Sequence, residues 1–171
     1  AARPRGGNDG LQTAWTIQGP GNIGARINTI AVDPTDQNTI YLGYSGGGLW
    51  KTTDGGQYWN PIFDDHQFLS IGHIAIDPVH PNQIFVGTGD PNISIYPFIG
   101  DGIWKSPDGG QTWQARARPA NFSGCEPGTQ NWYNAGITVA PNNPDEVILS
   151  AWWPYRSADG AATFANMARL N

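Results

Sequence analysis

Short runs of alternating apolar and polar residues recur along this chain, and four of them make one unit. The first run, residues 26–32, ends at the pair Asp33-Pro34. Proline fixes φ there and aspartate accepts hydrogen bonds from nearby amides, so the chain turns. Three more short runs follow at 39–43, 49–52 and 58–62. Because alternation over so few residues is typical of half-buried strands, the pattern predicts one four-stranded antiparallel sheet.

The same order of strands recurs twice. Asp77 stands 44 residues after Asp33, and Asp108 stands 54 residues after Asp54, the excess being an insertion at 90–99. A repeat of this length with four strands is typical of β-propeller blades. The later predicted strands are 71–76, 83–87, 102–106 and 112–114, then 135–139, 146–150 and 155–157.

The chain is therefore predicted to be all-β, with a flexible arm over 1–14 and a propeller segment over 15–171. The segment holds about three blades, at about 26–63, 70–118 and 134–168. Closed propellers have roughly four to eight blades. Unpaired sheet edges favour aggregation, so we expect an incomplete propeller that remaining blades or another chain complete.

A polar turn lies between the third and fourth predicted strands of each unit. Its aspartate can accept bonds from turn amides, its glycine tolerates positive φ, and its aromatic residue can wedge between sheets. We therefore predict a structural role for these turns. The clearest copy has Ser106, Asp108, Gly110, Thr112 and Trp113; the others have Thr52, Asp54, Gly56 and Trp59, and then the weaker set Ser157, Asp159, Ala161 and Phe164.

The composition limits the classes of function that the chain can have. Charged residues make up 13% of the chain, the net charge is −5 and the pI is about 4.9, which argues against a nucleic-acid partner, since that requires a basic face. No apolar run approaches the roughly 18 residues of a membrane span. The single cysteine, Cys125, excludes an internal disulfide.

The Ser106 turn resembles the Asp-box of the BNR family of propellers, which includes sialidases, oligoxyloglucan-acting hydrolases and the Vps10 domain of sortilin. Residues 15–113 most resemble bacterial sortilin/Vps10-like BNR-repeat proteins. The resemblance implies Asp-boxes remote from the catalytic face and a secreted or cell-surface protein. The segments that carry it are 19–27, 31–34, 47–52, 70–72, 87–90 and 100–102.

In a propeller the first strand of each blade lines the central channel, and the loops that enter these strands face one mouth. Arg26 is the strongest candidate there, because its forked cation suits a carboxylate. That carboxylate belongs either to a ligand or to a salt bridge with Asp90 or Asp101. The six predicted ligand-binding residues are Arg26, His73, Asp90, Tyr96, Asp101 and Asn134.

Catalysis by glycoside hydrolysis needs two carboxyl groups about 5–10 Å apart. Asp64, Asp65, Asp90 and Asp101 are available, but two Glu in the whole chain disfavour a sialidase. No catalytic residue, cofactor or metal site is predicted, with Asp64-Asp65 as the one candidate for Ca²⁺.

The leading hypothesis is a non-catalytic extracytoplasmic propeller segment that binds protein or glycan. The alternatives are a fragment of a secreted glycoside hydrolase and a structural subunit of a surface assembly.

Overall fold

A computed structural model describes residues 26–90, 100–116, 136–150 and 154–167. Within these residues the chain forms twelve strands. No helix in the described part of the chain is long and apolar enough to cross a membrane. The strands are β1 (Ile27–Val32), β2 (Ile40–Tyr44), β3 (Leu49–Thr52), β4 (Asn60–Pro61), β5 (Ile71–Ile76), β6 (Ile84–Thr88), β7 (Ile103–Ser106), β8 (Gln114–Ala115), β9 (Gly136–Ala140), β10 (Asn143–Ser150), β11 (Pro154–Ser157) and β12 (Ala165–Asn166).

These strands form three antiparallel four-stranded sheets, in the orders β1-β2-β3-β4, β5-β6-β7-β8 and β9-β10-β11-β12. The first strands of successive sheets are neighbours, since β1 contacts β5 and β5 contacts β9. The all-β fold with repeated four-stranded blades is therefore confirmed. The sheets share one register: Val32 pairs with Ile40 and Ile40 with Thr52, Ile76 with Ile84 and Ile84 with Ser106, Val139 with Val147 and Val147 with Ser157.

The outer strands differ from the prediction. Strands were expected from Tyr58 and Thr112, but β4 and β8 have two residues each. The amides of Tyr58 and Thr112 donate to the aspartates of the turns instead, so pairing with the third strand starts only afterwards. β10 begins at Asn143, earlier than predicted, with a shift of register before Val147. β12 was not predicted.

Alternation places one apolar face of each sheet against the next sheet. Between the first two sheets, Tyr41, Leu49 and Phe63 pack with Ile74 and Val86. Between the second and third, the buried residues are Ala75, Phe85, Ile103, Ile137, Val139, Val147, Leu149, Tyr155 and Ala161. Burying each large apolar side chain stabilises the fold by about 1.5–3 kcal/mol, so these interfaces form the core.

The two ends of the sheets carry different residues. The third strand of each sheet ends at Thr52, Ser106 or Ser157, where the polar turns follow; we name this the Asp-turn end. At the opposite end, Arg26 precedes β1, whose first residue Ile27 pairs with Tyr44 at the close of β2. We name this the Arg26 end.

Candidate functional site

The three polar turns at the Asp-turn end share one hydrogen-bonded geometry. In the second, the Ser106 hydroxyl accepts from the Gly110 amide (2.8 Å) and donates to Asp108 Oδ1 (2.9 Å). Asp108 Oδ1 also accepts from the Thr112 amide at 2.8 Å. The turn needs positive φ at Gly110, which has 94°. The Ser106 and Asp108 side chains thus satisfy several backbone amides of the turn, as a structural element requires.

The aspartates of these turns hold depressed pKa values. The pKa of Asp108 falls to about 2, because the Thr112 hydroxyl and amide donate to its carboxylate. The pKa of Asp159 also falls to about 2, with the Thr163 side chain as the largest cause. Hydrogen bonds that favour the charged form lower a carboxyl pKa. These carboxylates are therefore suited to holding a turn and not to giving up protons near neutral pH.

The third turn keeps this geometry although its sequence is weaker. The Ser157 hydroxyl accepts from the Ala161 amide at 2.9 Å, and Asp159 accepts from the Thr163 amide at 2.8 Å. Ala161 takes the place of glycine and adopts φ 68°, a conformation that costs an L-residue roughly 1–2 kcal/mol. Phe164 packs on the core between the last two sheets in place of tryptophan.

At the Arg26 end, one buried carboxylate gathers two donors from different parts of the chain. Arg26 Nη2 forms an ion pair with Asp90 Oδ2, and the Ser45 hydroxyl donates to the same oxygen. The Asp90 side chain is fully buried, whereas that of Arg26 is 52% exposed. Of the two roles open to Arg26, the salt bridge with Asp90 is present. Sequence inspection missed Ser45, whose only signal is its position just after β2.

Asp101 accepts hydrogen bonds from two side chains at this end, those of Thr88 and Trp104. Its Oδ1 accepts from the Thr88 hydroxyl and from Trp104 Nε1, both at 2.9 Å. Asp101 is itself exposed and Trp104 is half-buried. The carboxylate therefore orients an indole ring beside the open end of the second sheet.

His73 lies where the second and third sheets meet. Its Nδ1 accepts from the Ile137 amide at 3.4 Å, and burial lowers its pKa. On the other side, Asn28 Nδ2 donates to the Ile71 carbonyl at 3.0 Å. His73 thus joins neighbouring first strands. Two other predicted ligand-binding residues, Tyr96 and Asn134, lie outside the described residues.

A cleft of about 630 Å³ lies between the outer parts of the first two units. It is lined by Asp64, Asp65, His66 and Trp113, together with Gly110 and Gln111 of the second polar turn. His66 stacks on Phe63 with ring centroids 3.7 Å apart. Among the described residues, no three His, Cys, Asp or Glu side chains come together as metal ligands. A cleft that combines aromatic and acidic groups has the chemistry to contact a sugar.

The chain is similar in sequence to xyloglucanases and similar in fold to solved structures of two kinds. A xyloglucanase of Acetivibrio thermocellus is 27% identical over 207 aligned positions, which cover 81% of this chain and 25% of that protein. The crystal structure of the GH74 xyloglucanase from Xanthomonas campestris superposes with a TM-score of 0.66 at 18% identity, over 86% of this chain and 21% of that one. The structure titled YCF48 bound to D1 peptide has a TM-score of 0.58 at 18% identity, covering 83% and 40%.

No family model matches the chain. The chain spans about a quarter of the length of the Acetivibrio relative. The structural similarities establish a β-propeller fold. The sequence similarity is to xyloglucanases and does not support the closer likeness to sortilin/Vps10-like proteins that the motifs had suggested.

Proposed function

We propose that this chain is the propeller portion of a glycoside hydrolase that acts on a β-glucan of the xyloglucan type. The observation that carries the proposal is the similarity to a xyloglucanase over 81% of the chain. This departs from the non-catalytic role favoured by composition and motifs. It adopts the hydrolase alternative.

The grouping of carboxylates supports the proposal. Asp64 lies beside Gly48, in the loop that follows β2 at the Arg26 end, and Asp90 and Asp101 follow β6 at the same end. Glycoside hydrolysis needs an acid and a base or nucleophile on either side of the scissile bond. An end rich in aspartates, opposite turns that serve the fold, suits that chemistry.

The three aspartates differ in what they can do. Asp90 is buried with Arg26 and Ser45 on one oxygen, so we assign it a positioning role. Asp101 is exposed and orients Trp104. Part of the Trp104 ring packs against His66 and Phe63. The part left exposed beside the carboxylate suits the apolar face and hydroxyl edge of a sugar ring. Asp101 is therefore the described residue best placed to contact glycan.

The test is hydrolysis of xyloglucan by the full polypeptide, followed as release of reducing ends. Unbranched carboxymethylcellulose serves as the comparison substrate. If Asp101 takes part in acid–base chemistry, Asp101→Asn lowers the rate by roughly 100-fold or more. Asp108→Asn, in a turn at the opposite end, is the matched control and leaves the rate unchanged. A wild-type protein that binds xyloglucan without cleaving it would overturn the hydrolase assignment.

A non-catalytic glycan- or protein-binding role is the second candidate. The Arg26, Ser45 and Asp90 contacts favour it, because the most buried carboxylate at this end serves an internal ion pair. Binding measured by calorimetry, with no reducing ends released, would distinguish this role. A role on a polymeric glycan supports a protein that acts outside the cytoplasm, since such polymers do not cross membranes.

A further inference from the structure

Trp104 of the second sheet differs from the tryptophan at the same place in the first. Trp50 and Trp104 share one register position in their sheets, and each indole nitrogen donates to the residue three positions earlier. For Trp50, which is 7% exposed, the acceptor is the Gly47 carbonyl. For Trp104, which is half-buried, the acceptor is the side chain of exposed Asp101. A backbone contact in one sheet is therefore an open carboxylate in the next.

Asp101 uses only one of its two carboxylate oxygens to hold this ring. Its Oδ1 accepts from both the Thr88 hydroxyl and Trp104 Nε1, each at 2.9 Å. Among the described residues, no side chain or amide donates to Oδ2. Because Asp101 is exposed, Oδ2 is an acceptor that a ligand can reach beside the indole.

The Trp104 ring is also contacted by the loop that follows β4 in the first unit. His66 lies against it with ring centroids 4.5 Å apart and an interplanar angle of 84°. The His66 ring in turn stacks on Phe63, at 3.7 Å and 5°. Phe63 is 1% exposed and belongs to the core between the first two sheets. The histidine is therefore held in one orientation by rings from both units.

A hydrogen bond fixes which nitrogen of His66 is available to a ligand. Nδ1 lies 3.2 Å from the Phe63 carbonyl oxygen. A carbonyl can only accept, so Nδ1 carries the proton and Nε2 of the neutral ring is an acceptor. Within the described part of the chain nothing donates to Nε2. His66 lines the cleft between the first two units, and Nε2 is not a buried atom.

We infer that His66 is a second glycan-binding residue at the Arg26 end, and that its Nε2 accepts a hydrogen bond from a sugar hydroxyl. The inference rests on the proposed function. Asp101 and His66 both contact Trp104 and each has an acceptor to spare. A sugar ring has an apolar face to cover the exposed indole and hydroxyl donors at its edge for the two acceptors. An anion would meet acceptors only.

The three side chains come from two units of the chain. His66 follows the first sheet, whereas Asp101 and Trp104 belong to the second. They meet because the rings of His66 and Trp104 both pack against Phe63. The inference therefore places the sugar across the junction of the two units and not on one of them alone.

Binding of a xyloglucan oligosaccharide to the full polypeptide, measured by calorimetry, tests the inference. His66→Phe keeps a ring beside Phe63 and Trp104 but removes both nitrogens. It should weaken binding about 3- to 10-fold, as the loss of one hydrogen bond does, with the melting temperature little changed. His80→Phe is the matched control and should bind as the wild type does, since His80 contacts Asp77 at the Asp-turn end. Wild-type affinity in His66→Phe would overturn the inference.

A second pair of variants separates hydrogen bonding from packing. His66→Gln places an amide oxygen near the position of Nε2, whereas His66→Asn, one carbon shorter, reaches only that of Nδ1. Both lose the stacked ring, so the glutamine variant should bind more tightly than the asparagine variant. Equal affinities of the two would contradict the role of Nε2. A wild-type protein that binds no xyloglucan oligosaccharide would overturn the proposed function together with the inference, which tells the two failures apart.

Discussion

The two ends of the sheets are built on opposite principles. At the Asp-turn end, three turns repeat one set of hydrogen bonds, and even the divergent third copy keeps them. At the Arg26 end, backbone bonds recur in the first two sheets, such as those from Ser45 to Arg26 and from Gly89 to Ser70. The side-chain contacts among the described residues there differ from blade to blade. Asp90 gathers Arg26 and Ser45, and Asp101 orients Trp104. Geometry that recurs in every blade indicates a demand of the fold. Geometry peculiar to one blade is where a ligand can be recognised.

Replacing one glycine at each end should give the largest difference in stability between the two ends. A Cβ on Gly110 would stand 2.6 Å from Ile62 Cδ1, and its φ of +94° strains any other residue. Gly110→Ala should therefore destabilise the fold by about 2–4 kcal/mol. Gly46→Ala is the control, because a Cβ there has nothing within 4 Å. Calorimetric melting temperatures measure both; equal values would contradict the structural role of the turn.

Loss of the Arg26–Asp90 ion pair should have the next largest effect on stability. This pair is a structural contact at the Arg26 end, so the fold does not depend on the Asp-turn end alone. Arg26→Met leaves a fully buried Asp90 carboxylate without its cation. Because the arginine is half exposed, we expect a loss of about 1–3 kcal/mol. Asp101→Asn should change stability little. Urea unfolding of both variants checks this, and an unaffected Arg26→Met would remove Asp90 from the structural account.

A smaller gain is expected in the third turn. Ala161→Gly relieves φ 68°, but it adds entropy to the unfolded chain and removes a methyl group that is buried in the core. The net gain in stability should therefore be at most about 0.5 kcal/mol. Ala162→Gly, in the same turn and without positive φ, should be neutral or destabilising. Thermal unfolding of both variants measures this, and an Ala161→Gly variant that loses as much stability as Ala162→Gly would show that the turn carries no strain.

Lowering the pH should slightly reduce the stability that the Asp-turn end contributes to the fold. The folded pKa of Asp108 and Asp159 is about 2, below the ordinary value of 3.8. Their contribution is therefore present above about pH 4 and is lost as the pH falls towards 2. Asp159 is exposed and Asp108 is only half-buried, so solvent screening keeps the effect small. Urea midpoints from pH 5 to pH 2 should fall less steeply in Asp108→Asn; an identical slope would contradict the assignment.

Sequence alone could predict the blades but only part of the candidate site. The strands follow from local alternation, as in residues 71–76, which match β5. The bond between Ser45 and Asp90 joins residues far apart in sequence, and no local pattern encodes it. The short β4 and β8 were missed because the turn aspartates take amides that strands would otherwise pair.

The central claim is that the Asp-turn end holds the fold and the Arg26 end recognises ligand. The most direct test is the dissociation constant of Asp108→Ala for xyloglucan oligosaccharides, measured by calorimetry well below its melting temperature. We predict a value equal to that of the wild type, with binding weakened in Asp101→Ala. Binding lost in folded Asp108→Ala and kept in Asp101→Ala would contradict the claim.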